Sequence, residues 1–278
     1  MWRDAKYWEE EWTEAYRRSI YRRQRISDNT SWWDKRAPGF AARTEDKSKN
    51  DSILNQILAT SFIDKSTDLL DIGCGTGNYA IPLSSRFRKI VALDSSPVML
   101  SILKKRAEAM NIHNIETVCM AWDDIYLNEM DWMKKFGLVI AIKTPGISNA
   151  ETLEKMCEAS SHGCFYNGFI SKYDMDQQEL WRIIFDEEKP EFPSDPFYIF
   201  HLLYAWGYLP SMDIKKIEKS KKMKISEATE NLQLMMKNYK DLPDSTDRIV
   251  EQYVKNNAFR NEFISRGSSV EGNVIWSV

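Results

Sequence analysis

The stretch Leu70-Asp71-Ile72-Gly73-Cys74-Gly75-Thr76-Gly77-Asn78 decides the fold. It opens as the end of a short apolar strand, residues 68–72, and runs into three alternating glycines. Glycines there allow a tight turn and a close backbone approach to a ligand, and they leave the amides of the following helix open. Working outward, residues 78–87 read as a helix, 89–93 as a strand and 97–110 as a second helix. The alternation continues with strands at 115–120 and 137–142, a helix at 150–159 and a strand at 164–170. Strand and helix alternating in this way predict a parallel sheet of the α/β class.

Beyond residue 171 the order loosens. Helices are expected at 176–185, 197–206, 226–239 and 244–257, a long lysine-rich strand at 211–223 and a last strand at 273–278. The helical pair before the last strand would cap the carboxyl edge of the sheet. On the amino side, residues 2–25 are charged and aromatic at helical spacing, 32–40 suggest a second short helix, and 50–62 have the period of an amphipathic helix. We therefore expect residues 1–49 as an N-terminal helical extension or lid, 50–171 as the ligand-binding core, and 172–278 as the remaining strands with a cap insertion in the same domain.

The bulk composition excludes several classes. A chain of 278 residues with 38 basic and 41 acidic side chains has a formal net charge of −3, which does not suggest a polyanion-binding protein. No run approaches the roughly 18 apolar residues of a membrane span, and the charged N-terminus is unlike a secretory signal, so a cytoplasmic location is expected. The cysteines Cys74, Cys119, Cys157 and Cys164 lack zinc-site spacing and read as reduced thiols beside apolar runs. His113, His162 and His201 are too scattered for a metal site. No metal is expected.

A glycine turn alone is also what dinucleotide enzymes use. Three details separate this one: Gly77 comes a residue early and is followed by Asn78, Asp71 precedes the glycines, and the downstream segment differs. The next strand ends at Asp94, close to the roughly 20-residue spacing at which a carboxylate reaches ribose hydroxyls. On these residues the chain resembles the class I S-adenosylmethionine-dependent methyltransferases, a superfamily with a Rossmann-like, seven-stranded, mostly parallel sheet. The resemblance covers about residues 30–170. It implies S-adenosyl-L-methionine as methyl donor and S-adenosyl-L-homocysteine as product. It also implies a set of cofactor-binding positions: Asp71 at the loop or the methionine amine, Gly73, Cys74, Gly75 and Asn78 in the turn, Asp94 with Ser95 at the ribose, Met99 near the adenine, and Ile142 at the methionine end.

The family's acidic residue after the third strand falls on Ala121 here, a departure. Trp122, through its amide and ring, and Asp123 are the substitutes, although Asp123 and Asp124 could equally cap a following helix. Trp33, Arg36 and Phe40, in Trp33-Asp34-Lys35-Arg36-Ala37-Pro38-Gly39-Phe40, match a lid helix found in small-molecule members.

Methyl transfer is an in-line displacement, so positioning in a dry pocket supplies most of the rate and no fixed catalytic set is required. Where a base is needed, Tyr198, His201, Tyr204 and Trp206 are candidates, with Lys143 an outsider; a lone histidine on an apolar helix is more often a packing residue. The expected partner is a small-molecule methyl acceptor, with neither membrane nor nucleic acid and with the oligomeric state left open. The motif Asn/Asp-Pro-Pro-Tyr/Phe of nucleic-acid methyltransferases is absent, since the position reads Lys143-Thr144-Pro145-Gly146. A protein or tRNA methyltransferase, a non-catalytic S-adenosylmethionine-binding module and an NAD-dependent dehydrogenase remain as alternatives.

Overall fold

The computed structural model describes residues 4–23, 34, 37 and 52–278. Its centre is β1 (Asp68–Ile72), β2 (Lys89–Asp94), β3 (Ile115–Cys119) and β4 (Phe136–Ile142). The rest of the sheet is β5 (Ser160–Asp174), β6 (Ser211–Lys224) and β7 (Glu262–Ser277). The seven strands lie in the order β3-β2-β1-β4-β5-β7-β6. The five from β3 to β5 are mutually parallel, and β7 runs antiparallel to both of its neighbours. Every residue of β1 and β4 is buried, as strands covered by helices on both faces must be.

One face is covered by α2 (Ser52–Leu58), the single turn α3 (Ala80–Leu83) and α4 (Pro97–Ala109), whose apolar side chains join Leu69, Leu138, Ile140 and Phe165 in one cluster. The other face carries α1 (Ala5–Arg18), α5 (Ala150–Ala159) and α7 (Asp195–Ala205), clustered with Leu70, Val139, Tyr166 and Trp276. A third cluster joins α6 (Met175–Phe185), α8 (Ile225–Met236) and α9 (Thr246–Asn257) to Ile20 and Phe263.

The long strands explain where this third cluster sits. The pairing of β4 with β5 ends at Asn167, whereas β5, β7 and β6 stay paired through Asp174, Gly267 and Lys224. These three strands form an antiparallel extension past the carboxyl edge of the parallel strands. Helices α8 and α9 connect β6 to β7 at its far end, so they cap that edge as the sequence suggests.

Several expectations are corrected in extent or place. The last strand begins at Glu262, eleven residues before the expected start, and β5 begins and ends four residues beyond its expected bounds. Polar and glycine-rich sequence reads as loop, but the first half of β7 is held by ladders on both sides. The expected helix at 78–87 is one α-turn followed by a 3-10 turn, Ser84–Arg86. No helix follows Asp123 and Asp124; residues 121–135 are turns. Finally, α7 is not part of the cap. It starts beside the end of β5, where Ser194 Oγ donates to the Ile170 carbonyl at 2.6 Å, and returns along the sheet face to β6. The exposed Cys119 also departs from the expected apolar packing; all four cysteines are free.

Candidate active site

The glycine turn is fixed from two sides. The amides of Gly73 and Cys74 both donate to the Leu93 carbonyl, at 2.8 and 3.0 Å. The Gly75 amide donates to Asp94 Oδ2 at 2.8 Å, and the Ser96 amide donates to Oδ1 of the same carboxylate at 2.8 Å. From α4, Arg106 Nη1 donates to the Thr76 carbonyl at 2.6 Å and to Asn78 Oδ1 at 3.1 Å. Asp94 thus organises the turn, and Asn78 is tied into the turn's support.

The glycines are there for different reasons. Gly73, Gly75 and Gly77 all have positive φ, which strains any residue with a Cβ. A Cβ on Gly73 would sit 2.1 Å from Thr144 Oγ1, and one on Gly77 would sit 2.8 Å from Leu103 Cγ, so both are needed for packing. A Cβ on Gly75 would meet nothing within 4 Å. That residue faces open space.

Asp71, at the end of β1, is buried and its Oδ2 has no hydrogen-bond partner. Burial, followed by the nearby charge of Asp94, pushes its carboxyl up to about 7. Burial also raises Asp94, against the two amides that favour its charged form. Burial likewise holds the Cys74 thiol protonated. After Asp94, Ser95 is exposed, while Ser96 caps α4 by accepting from the Met99 amide at 3.1 Å. Ser96 Oγ also donates to Asp34 Oδ1 at 2.5 Å. Asp34 and the fully buried Ala37 are the described part of the lid motif. Trp33, Arg36 and Phe40 lie outside the described residues.

Beyond β3, Ala121 is half-buried and Asp123 exposed. The Trp122 ring is a correction: it is 3% exposed within the core and its Nε1 donates to the Thr152 carbonyl at 3.1 Å, so only its backbone can face a ligand. Ile142 is buried at the end of β4. Lys143, in a left-handed conformation, pairs through Nζ with the buried Glu271 at 2.8 Å. The side-chain candidates on α7 fare differently. His201 stacks on Trp8 of α1 at 4.1 Å, and burial lowers its pKa. Tyr198 stacks on Trp12 of α1 at 6.4 Å. Tyr204 lies in the last turn of α7 and Trp206 is its C-cap. The structure packs His201 and Tyr198 against α1.

Sequence reasoning missed Ser96 and Arg106. Ser96-Pro97 was legible as a helix cap; Arg106 gave no local signal. It also missed a polar relay beside Lys143. Gln56 Nε2 donates to Asp213 Oδ2 at 2.8 Å, Asn273 Nδ2 to Gln56 Oε1 at 2.6 Å, and Asn167 Nδ2 to Asn273 Oδ1 at 2.6 Å. A carboxylate only accepts, so Asp213 fixes the direction of the chain. The relay ends at the buried Asn167 Oδ1, an acceptor with no partner.

The family described as a methyltransferase domain matches residues 69–161, the segment from β1 into β5. Residues 69–161 thus resemble a methyltransferase domain. Around that domain the chain is similar to an uncharacterized protein of Haemophilus influenzae, 25% identical over 67% of this chain and 66% of that one. It is also similar to the 23S rRNA (uracil(1939)-C(5))-methyltransferase RlmD of Mannheimia succiniciproducens, 26% identical over 41% of this chain but 27% of that enzyme. The chain therefore spans under two thirds of these relatives' lengths. Among solved structures, the YcgJ protein of Bacillus subtilis aligns with a TM-score of 0.51 at 10% identity, over 80% of this chain and 97% of that one, a likeness of fold.

The residues at the turn fit the donor that this resemblance implies. S-adenosylmethionine offers an ammonium to an orphaned buried carboxylate such as Asp71, and Gly75 leaves room for it on the turn. No helix among the described residues is long and apolar enough to cross a membrane, and no cluster among them could hold a metal ion.

Proposed function

We propose that this chain transfers a methyl group from S-adenosylmethionine to a small-molecule acceptor in the cytoplasm. The unpartnered, buried Oδ2 of Asp71 beside the open face of Gly75 carries the reading. Asp71 would take the donor's ammonium, Asp94 its ribose hydroxyls through lone pairs left by the two amides, and Met99 and the backbone at Ala121 and Trp122 would border the adenine. Gly73, Cys74 and Asn78 keep the turn in shape, and Ser95 and Asp123 form the exposed rim. When bound, the donor supplies an activated methyl group on a sulfonium. The chain's part is to align the acceptor and exclude water.

The division of labour follows the elements. Residues 1–49 would close over the donor, with Asp34 on Ser96 as the described point of docking. Residues 50–171 would bind the donor, and 172–278 would shape the acceptor side. We assign no general base: His201 and Tyr198 are engaged with α1, and Lys143 is held by Glu271. The Lys-Thr-Pro-Gly turn after β4 and the weakly acidic total charge support a small acceptor over a nucleic acid.

Calorimetry with S-adenosylhomocysteine tests the donor site. Saturable binding is expected, weakened at least tenfold in Gly75→Ala, whose added methyl enters the ligand's space at a backbone cost of about 1–2 kcal/mol. Gly73→Ala, which collides with Thr144, should lose both binding and thermal stability. Absence of binding by the unmodified chain would sink the reading.

A further inference from the structure

The amide relay beneath α2 leaves one atom that binding of the methyl donor does not use. Asp213 can only accept, so Gln56 turns Nε2 toward it and offers Oε1 to Asn273. Asn273 gives Nδ2 to Gln56 and keeps Oδ1 for Asn167. Asn167 commits its Nδ2 to Asn273 Oδ1 at 2.6 Å and to the Gly272 carbonyl at 3.5 Å. What remains is Asn167 Oδ1, fixed as an acceptor and unpartnered, on a residue with no exposed surface. A buried acceptor without a partner opposes folding, and folded proteins keep few of them. Here three other side chains hold one in a single orientation.

The sheet register places that atom relative to Asp71. Asp71 stands opposite Ile140 of β4, and Asn167 stands opposite Ile142 of the same strand. Ile140 and Ile142 are two residues apart and both join the cluster under α2, so Asp71 and Asn167 share that face. Two strand spacings and one pleat separate them, about 10–12 Å between Cα positions. With its ammonium on Asp71, the methionine arm of a methyl donor and one further atom beyond its methyl group would fill this span. Lys143, which follows β4, donates its amide to the Asn167 carbonyl at 2.8 Å, and its Nζ is taken by Glu271 Oε2 at 2.8 Å. Asn167 Oδ1 thus receives no hydrogen from its charged neighbour.

We propose that Asn167 selects the methyl acceptor, and that the acceptor is a small amine whose N–H is received by Oδ1 while its lone pair faces the donor's methyl group. The word acceptor rests on the methyltransferase reading; the fixed orientation of Oδ1 does not. A neutral amide oxygen accepts a hydrogen bond but does not take up a proton. It therefore suits a nucleophile that attacks before it loses its proton, as an uncharged amine does, whereas a hydroxyl must give up its proton to a base. In the transfer the nitrogen lone pair forms the N–C bond as the C–S bond breaks. The sulfur keeps that bond's electron pair and becomes the neutral sulfide of S-adenosylhomocysteine. The positive charge passes to the methylated nitrogen, which afterwards releases its proton to water.

The test uses the full chain, labelled with nitrogen-15 in its asparagine side chains and saturated with S-adenosylhomocysteine at mildly alkaline pH. It is titrated with primary amines of rising size, from methylamine to benzylamine, each matched by its alcohol and its carboxylate. The side-chain amide signal of Asn167, assigned by its loss in Asn167→Leu, reports contact at Oδ1 whether or not methyl transfer occurs. At least one amine should move that signal saturably, with its alcohol and carboxylate at least tenfold weaker. With S-adenosylmethionine instead, the same amine should yield its N-methyl product. Asn167→Leu should lower kcat/KM for it tenfold or more while S-adenosylhomocysteine affinity stays within twofold. Gln56→Leu, which removes the relay's direction from the half-buried end and keeps Asn167, should weaken the amine in the same sense, so the idea stays testable if Asn167→Leu fails to fold. The proposal is overturned if no amine moves the Asn167 signal, as when the atom only holds a structural water. It is also overturned if an alcohol or carboxylate moves the signal as far as its amine, or if both variants methylate the amine as the unmodified chain does. Failure of S-adenosylhomocysteine itself to bind would instead strike the proposed function.

Discussion

At the scale of single residues, Asp71 sets the most direct demand. Its carboxyl ionises near 3.8 in an unfolded chain and near 7 in the fold, because burial and Asp94 oppose its charge. A raised folded value means that the ligand-free fold is favoured below pH 4 and loses that favour as pH rises through 7, by roughly 4 kcal/mol at the upper limit. Thermal melts of the ligand-free protein should therefore fall between pH 5 and 8, and Asp71→Asn should flatten that fall. A cationic group beside Asp71 favours the charged form. Affinity for S-adenosylhomocysteine should accordingly climb over the same range in the unmodified chain and stay flat in Asp71→Asn. A flat profile in both proteins would remove Asp71 from the donor's ammonium.

At the scale of elements, α1 and α7 are joined by contacts that include the stacking of His201 on Trp8. Trp12 Nε1 donates to Asp195 Oδ1 at 2.9 Å, and Tyr16 also bonds this carboxylate, whose buried position pushes it up to about 6. Asp195→Ala leaves a buried indole N–H without a partner, which costs about 1–3 kcal/mol. His201→Ala loses a stacked pair worth about 1 kcal/mol. Both variants should melt earlier and bind S-adenosylhomocysteine within twofold of the unmodified chain; a large loss of affinity in His201→Ala would return that residue to the site. The placing of α7 shows where sequence runs short. An apolar helix announces that it will be buried, but nothing in its period says whether it lies on the sheet or over its edge. The glycine turn was legible because positive φ and close packing demand glycine locally. The Asp213-Gln56-Asn273-Asn167 relay was not, because its members are far apart in the chain and meet only once β5, β7 and α2 are assembled.

At the scale of the whole molecule, the sheet comprises a parallel part, β3 to β5, and an antiparallel extension that carries the cap helices. Trp181, 1% exposed, stands at the centre of the cap, with ring contacts to Phe185 at 4.4 Å and Tyr239 at 4.9 Å. Trp181→Ala should cost about 3–5 kcal/mol of cap packing. Amide hydrogen exchange should then accelerate across 225–257 while β1 to β4 keep their protection and S-adenosylhomocysteine still binds. Loss of donor binding would show that the two parts are one cooperative unit. The cap's existence was readable from its helical periods, whereas the extension that carries it was not: the first half of β7 is ordered by partners on both sides and has no strand-like alternation of its own.

The outermost strand of that extension has a consequence for the protein in a crowded solution. Among the described residues, strand β6 leaves one backbone edge unpaired along fourteen residues, and open edges recruit strands from other molecules. Lys215, Lys216, Lys219, Lys221, Lys222 and Lys224 line it. A second copy adding its own β6 alongside would bring ammonium against ammonium over most of the length, with Asp213 and Glu218 as the only relief within the strand. The molecule thus guards its longest exposed ladder against fibre growth by charge alone, a guard that high salt or acylation of those lysines would lower.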